Sequence, residues 1–280
     1  MKDFSRLVQI MADLRDPERG CPWDLKQTEE TLREYILEET YELIEAIEEK
    51  SPRRQQEELG DLLLQIVFLS RLHEEKGDFG ITEVVASISE KLIRRHPHIF
   101  ADANVSSAAE VKSNWEKIKK AEKSRASALS DYPDRMPSLL VARRIAEQAA
   151  SVGFDWQDRP PQHAAINEVI KKVEEEISEL KQELTRQTDS VENSAEIDDE
   201  RKLRLEEEVG DLLFAVSNVA RHLDINPEFA LKKANDKFKK RFRFIESQLN
   251  ERGKNIEETG LEEMEKLWRR AKTSHDPDHE

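Results

Sequence analysis

The chain is 280 residues long, room for one large domain or two of ordinary size. Charged residues make up 38% and apolar residues 37%, a balance that suits amphipathic helices with broad wet faces, and only eight glycines speak against an all-β fold. The formal net charge of −15 argues against a general nucleic-acid binder, which would show a basic face, but does not exclude a phosphorylated small molecule, because bound divalent ions reverse the local sign.

The N-terminal Met1-Lys2-Asp3-Phe4 opens no apolar run of signal-peptide type. Phe4, Leu7, Val8, Ile10 and Met11 predict a short amphipathic helix over 4–15, broken by the loop Gly20-Cys21-Pro22-Trp23-Asp24. Cys21 is the single cysteine, so no internal disulfide framework exists. Thr28 is a suitable N-cap for a helix over 29–50, with Thr31-Leu32-Arg33-Glu34 a second capping option. Ser51-Pro52 opens the next helix, ended after residue 76 by Gly77-Asp78-Phe79-Gly80. Its most apolar stretch, 62–69, falls far short of the roughly twenty residues that a membrane span needs. A fourth helix over 82–96 stops at Pro97, and Ser106 or Ser107 caps a fifth that runs to 124. A cytoplasmic protein is the expectation.

Residues 126–136, with Ser127, Ser130 and Pro133 and with Pro137 following, read as a linker between an N-terminal domain, 1–125, and a C-terminal domain, 137–280. After it the order of elements recurs. A helix over 138–150 leads to Gly153-Phe154-Asp155-Trp156, which echoes the earlier loop. Pro160-Pro161 precedes a helix over 162–184, and the polar stretch 185–200 reads as a mobile loop. Helices over 201–223, 227–250 and 261–272 follow, then a polar tail from 274 to 280. A period of about 140 residues means tandem duplication rather than a solenoid.

The chain is organised around Leu37-Glu38-Glu39-Thr40-Tyr41-Glu42 and Glu57-Glu58-Leu59-Gly60-Asp61. At about 100° per residue, Glu39 and Glu42 share one helix face, as do Glu58 and Asp61. Glu39 falls in line with Ile36 and Leu43, while Glu58 and Asp61 continue into Phe68 and Leu72. Acids therefore take positions where a packed helix places leucine. Facing anions repel unless a cation lies between them, and oxygen-only ligands favour Mg²⁺, with Mn²⁺ as an alternative, over Zn²⁺.

The arrangement occurs twice. Glu175, Glu176 and Glu179 repeat the first motif, and Glu207-Glu208-Val209-Gly210-Asp211 repeats the second. The separation is 19 residues from Glu39 to Glu58 and 32 from Glu176 to Glu208; the extra 13 fall in the polar loop, where insertion costs little. Lys91 and Arg95 correspond to Lys237 and Arg241, Trp115 and Lys119 to Trp268 and Lys272, and Arg54 to Arg204.

Four carboxylates can hold one or two Mg²⁺ ions and leave room for water and phosphate oxygens. Lys237 and Arg241, one turn apart, suit a polyphosphate, as does Lys172, and Trp268 suits stacking on a base. The plain alternatives are a solvated face for Lys237 and Arg241, and core packing for Trp115 and Trp268. His96 and His98 beside Pro97 read as a helix end, and His222 as a packing residue. No Walker glycine loop and no Gly-x-Ser-x-Gly elbow is present. A di-iron bundle would need Glu-x-x-His motifs, which neither acid helix supplies.

Leu37-Glu38-Glu39-Thr40-Tyr41-Glu42, Glu58-Leu59-Gly60-Asp61, Arg94-Arg95-His96-Pro97-His98-Ile99-Phe100 and Lys233-Ala234-Asn235-Asp236-Lys237-Phe238 resemble the tandem MazG nucleoside triphosphate pyrophosphohydrolases over nearly the whole chain. The resemblance implies an all-α fold of two tandem helical bundles completed by homodimerisation. It implies Mg²⁺-dependent cleavage of nucleoside triphosphates to monophosphate and pyrophosphate, with house-cleaning of the nucleotide pool as the role. The C-terminal unit would be the main catalytic one. Its metal ligands would be Glu176, Glu179, Glu208 and Asp211, matched in the first unit by Glu39, Glu42, Glu58 and Asp61. Nucleotide contacts would be Lys172, Glu175, Arg204, Glu207, Lys237, Arg241, Trp268 and Lys272. One departure is Tyr35, which stands where the second unit has Lys172. A nucleotide–Mg²⁺-binding regulatory or scaffold protein without turnover is the alternative.

Overall fold

The computed structural model describes residues 2–122, 127, 129, 132–156, 164–186 and 199–274. Among them every regular element is helical: α1 (Lys2–Leu14), α2 (Glu29–Glu48), α3 (Pro52–Lys76), α4 (Ile81–Arg95), α5 (Pro97–Phe100), α6 (Ala108–Glu122), α7 (Ser138–Ala150), α8 (Ala164–Thr185), α9 (Asp199–His222), α10 (Pro227–Asn250) and α11 (Leu261–Ser274). The fold is all-α. Two compact units, Met1–Ser124 and Arg125–Glu280, divide the chain.

Local chemistry sets the helix ends. The Thr31 amide donates to Thr28 Oγ1 and the Thr28 amide to Thr31 Oγ1, so the box closes between two threonines rather than between Thr31 and Glu34. Ser51 accepts from the Arg54 amide, with Pro52 in the first turn, where its missing N–H costs nothing. Gly77 ends α3 at φ +79°, a left-handed conformation that disfavours a side chain. Ser107 caps α6 by accepting from the Glu110 amide. Pro97 ends α4 as expected, but the chain restarts as α5 because proline is tolerated in a first turn. Residues 162–163, most of the polar stretch (187–198), much of the linker and the tail beyond Ser274 lie outside the described residues.

In the first unit α2 and α3 form an antiparallel hairpin, with α1 and α4 against α3 and α6 against α4. Met11, Leu32, Val67, Phe68 and Leu72 make its core. The second unit repeats the plan: α8 and α9 pair, α7 and α10 pack on α9, and α11 on α10, where Ile245, Leu249 and Leu267 are buried. Each unit also ties its early loop to its long second hairpin helix by ion pairing. Arg15 binds Glu75 at 2.8 and 2.7 Å and the carbonyl of Asp24, while Arg221 and His222 reach Asp155 at 2.7 and 3.2 Å.

Both hairpins leave an apolar stripe in water. Leu59, Leu63 and Ile66 on α3 are 55%, 36% and 43% exposed; their counterparts Val209, Leu213 and Val216 on α9 are 43%, 49% and 46% exposed. Among the described residues no helix is long and apolar enough to cross a membrane.

Candidate functional site

In the first unit Glu39 from α2 and Glu58 and Asp61 from α3 each place a carboxylate oxygen within 4.8 Å of the others. The short turn between the helices sets this register. Burial, followed by the charges of Asp61 and Glu42, pushes the Glu39 carboxyl up from its ordinary range. Burial and then Glu42 do the same to Glu58. Glu42 itself is exposed and stands outside the compact group, although both acids feel its charge. Arg54 faces the group, with Nη2 3.7 Å from Glu58 and 3.4 Å from Glu45 and Nη1 2.6 Å from Glu49. Tyr35 packs on the core, edge-on to Trp23 at 5.9 Å between centroids.

In the second unit the compact group is Glu176 and Glu179 from α8 with Glu208 from α9. Asp211 is exposed and lies outside it. Lys172 places Nζ 2.8 Å from Glu176 and 2.9 Å from Glu175, and these bonds raise its affinity for a proton above that of an ordinary lysine. Loss of surrounding water and then the Glu176 charge push the Glu179 carboxyl up. Glu207 is exposed one residue before Glu208. Each unit thus gathers three of its four expected acids, omitting a different one. Oxygen-only groups of crowded carboxylates fit a hard divalent cation, which would offset their mutual repulsion.

Arg204 is engaged differently from Arg54. Its Nε donates to Glu183 Oε1 at 2.6 Å and its Nη1 to Glu200 at 2.9 Å. Glu183 is 6% exposed, also accepts from Arg186 at 2.9 Å, and is held below the usual carboxylate range chiefly by Arg204. Sequence reasoning passed over Glu183. Its signal is the seven-residue step from Glu176, about 20° around the helix, onto the same inward face. The first unit has buried Ala46 in the matching position.

The basic and aromatic residues also recur as a group. The Arg241 guanidinium lies 5.7 Å from the Trp268 ring, with Phe238 at 5.0 Å, and Arg95 lies 5.2 Å from the Trp115 ring. Trp268 packs on the α10–α11 core, as its packing reading expects. Glu122, bound by Arg95 and Arg94, is held down to about 2. Lys237 and Lys272 are exposed on α10 and α11, and α10 packs on α9, the helix that carries Glu208. His96 stands edge-on to Trp115 at 4.9 Å, in keeping with a helix-end role. Gly60 and Gly210 sit between the acids of α3 and α9, and a Cβ on either would meet nothing within 4 Å.

Residues 27–100 match the MazG nucleotide pyrophosphohydrolase domain. The chain is 45% identical over 275 residues to the nucleoside triphosphate pyrophosphohydrolase of Escherichia coli (strain K12), covering 97% of this chain and 98% of that protein. It is 44% identical over 271 residues to the Thermotoga maritima nucleoside triphosphate pyrophosphohydrolase/pyrophosphatase MazG, covering 96% and 95%. A Mycobacterium tuberculosis nucleoside triphosphate pyrophosphohydrolase is 31% identical over 224 residues, 79% of this chain and 64% of that protein. With a tandem all-α architecture, two matching acid groups and such relatives along its whole length, the chain belongs to the MazG nucleotide pyrophosphohydrolase family.

Proposed function

We propose that the protein hydrolyses nucleoside triphosphates to nucleoside monophosphate and pyrophosphate, and that its second unit performs most of the turnover. The observation that carries this reading is the Glu176–Glu179–Glu208 group, with Lys172 against it at 2.8 Å. These acids, joined by Asp211, would hold Mg²⁺ or Mn²⁺. Such an ion supplies charge neutralisation on the phosphates and a more acidic bound water. Lys172, Lys237 and Arg241 bind and orient the phosphate chain, with Glu175 and Glu207 beside the phosphates and Lys272 near the base. Trp268 offers a stacking face for the base. Water attacks the α-phosphorus and releases a proton to solvent, the bond from that phosphorus to the oxygen bridging the β-phosphate breaks, and pyrophosphate leaves with the electron pair.

The first unit supports a second reading, nucleotide–Mg²⁺ binding without turnover. Arg54 at 3.7 Å from Glu58, and Tyr35 in the place of a phosphate-binding lysine, favour it there. The matching exposed stripes on α3 and α9 support a homodimer in which a second copy completes each bundle. The acidic balance leaves nucleic acid out of the inferred partners, and clearance of unwanted nucleotides in the cytoplasm is the inferred role.

The test is a nucleotide panel with Mg²⁺, measuring pyrophosphate and orthophosphate separately. One pyrophosphate per monophosphate is expected. Orthophosphate alone, or no product, overturns the hydrolytic reading. Sedimentation as a monomer would overturn the dimer.

A further inference from the structure

An arginine precedes the α3 or α9 glutamate of each acid group by four residues, and the two arginines have been given different partners. Arg54 is steered onto the cluster: Glu49 and Glu45 hold its guanidinium, and Nη2 lies 3.7 Å from Glu58. In the second unit Arg186 occupies the position of Glu49 and cannot hold an arginine. Glu183 replaces Ala46 and takes Arg204 through Nε at 2.6 Å, with Glu200 on its Nη1. Among the described residues no lysine or arginine pairs with Glu208. A guanidinium never loses its charge at ordinary pH, so one placed on a metal-binding carboxylate competes with the metal as a fixed cation.

We propose that Glu183 is a positioning residue that holds Arg204 off Glu208, leaving that carboxylate to the divalent ion, whereas the first unit, with alanine there, lets Arg54 compete for Glu58. The inference rests on the metal-binding reading of Glu176, Glu179 and Glu208. It makes a buried residue outside the acid motifs the cause of unequal metal affinity in the two units. Glu183 touches neither substrate nor metal and acts only through Arg204.

The probe is Mn²⁺ alone, followed by the spin resonance of the free ion, in full-length protein carrying Glu58→Gln so that binding reports the second unit. Glu183→Ala should weaken Mn²⁺ binding about three- to tenfold, the scale of one partly screened charge. Adding Arg204→Gln should return the affinity to within about twofold of the background, which a merely structural loss would not do. Unchanged affinity in Glu183→Ala, or weakening that Arg204→Gln does not relieve, overturns the proposal. If Glu183→Ala loses helix content, the first unit decides. In a Glu208→Gln background, Arg54→Gln should tighten Mn²⁺ binding about threefold, and unchanged or weaker binding overturns it. Combining Glu208→Gln with Glu58→Gln separates the two layers. Surviving Mn²⁺ binding would overturn the metal reading and this inference with it. Abolished binding beside an inert Glu183→Ala removes the role of Glu183 alone.

Discussion

The α2–α3 and α8–α9 hairpins differ less in their acids than in the cations set against them. The first cluster meets Arg54 from its own α3, an arginine pinned by Glu45 and Glu49. The second meets Lys172 from α8, a flexible ammonium 39% exposed, while Arg204 is drawn to Glu183. Lysine carries a point charge on a mobile stem and can move from carboxylate to phosphate, whereas an arginine held by three carboxylates has little reason to leave. The two hairpins thus keep the same acid pattern while a different cation is set against each copy.

The most forceful way to break this comparison is a matched pair. Glu179→Gln should lower pyrophosphate release about a hundredfold, the scale of losing one preorganised charge at the reacting centre, while Glu42→Gln keeps most of the rate. The reverse outcome would make the first unit the catalyst. Next come Lys237→Ala and Arg241→Ala. Each should weaken triphosphate binding by about 1.5–3 kcal/mol, roughly ten- to a hundredfold, with little change for the nucleoside, while Lys91→Ala leaves the second site alone. Calorimetry that finds equal affinities would return these residues to the solvated face.

A smaller effect is expected of Lys172→Tyr, which gives the second unit the first unit's residue. Turnover should fall about tenfold, and an unaltered rate would show that the lysine is not what separates the units.

Smallest is the pH response. Glu39, Glu58 and Glu179 are raised from the ordinary 4.5, so their contribution to stability is full below that value and is lost as pH climbs through the folded values. Glu183, lowered by Arg204, does the opposite: its contribution holds above 4.5 and is lost as pH falls through its folded value. A metal ion favours the ionised acids, so the gain in melting temperature on adding Mg²⁺ should be larger at pH 8 than at pH 5 by about 2–4 °C. An equal gain at both pH values would mean that the ion does not bind these carboxylates.

Much of this was legible from residues alone. Thr28, Ser51 and Gly77 announce helix ends through backbone chemistry that needs no tertiary context. The inward placement of Glu58 followed from its register with Phe68 and Leu72, and it is 7% exposed. The make-up of each compact group was not legible. Glu42 and Asp211 share helix faces with their partners, but membership depends on how far a side chain reaches across the hairpin, and spacing within one helix is blind to that. Glu183 escaped because an acid on a charged helix reads as solvated. Only its arginine, twenty-one residues away across a hairpin, reveals why it is buried.

Gly60 and Gly210 carry a consequence for engineering. Each sits in mid-helix, where glycine costs about 1 kcal/mol against alanine, and each has empty space where a methyl group would go. Among the described residues nothing within either unit forbids the methyl. Gly60→Ala and Gly210→Ala are therefore the first changes a designer seeking heat resistance would make, each with a gain of about 1 kcal/mol from a stiffer chain. If the thermally improved Gly210→Ala protein turns over more slowly than its parent, the missing methyl measures how closely substrate or a second copy must approach that helix; if it does not, the chain has forgone free stability twice.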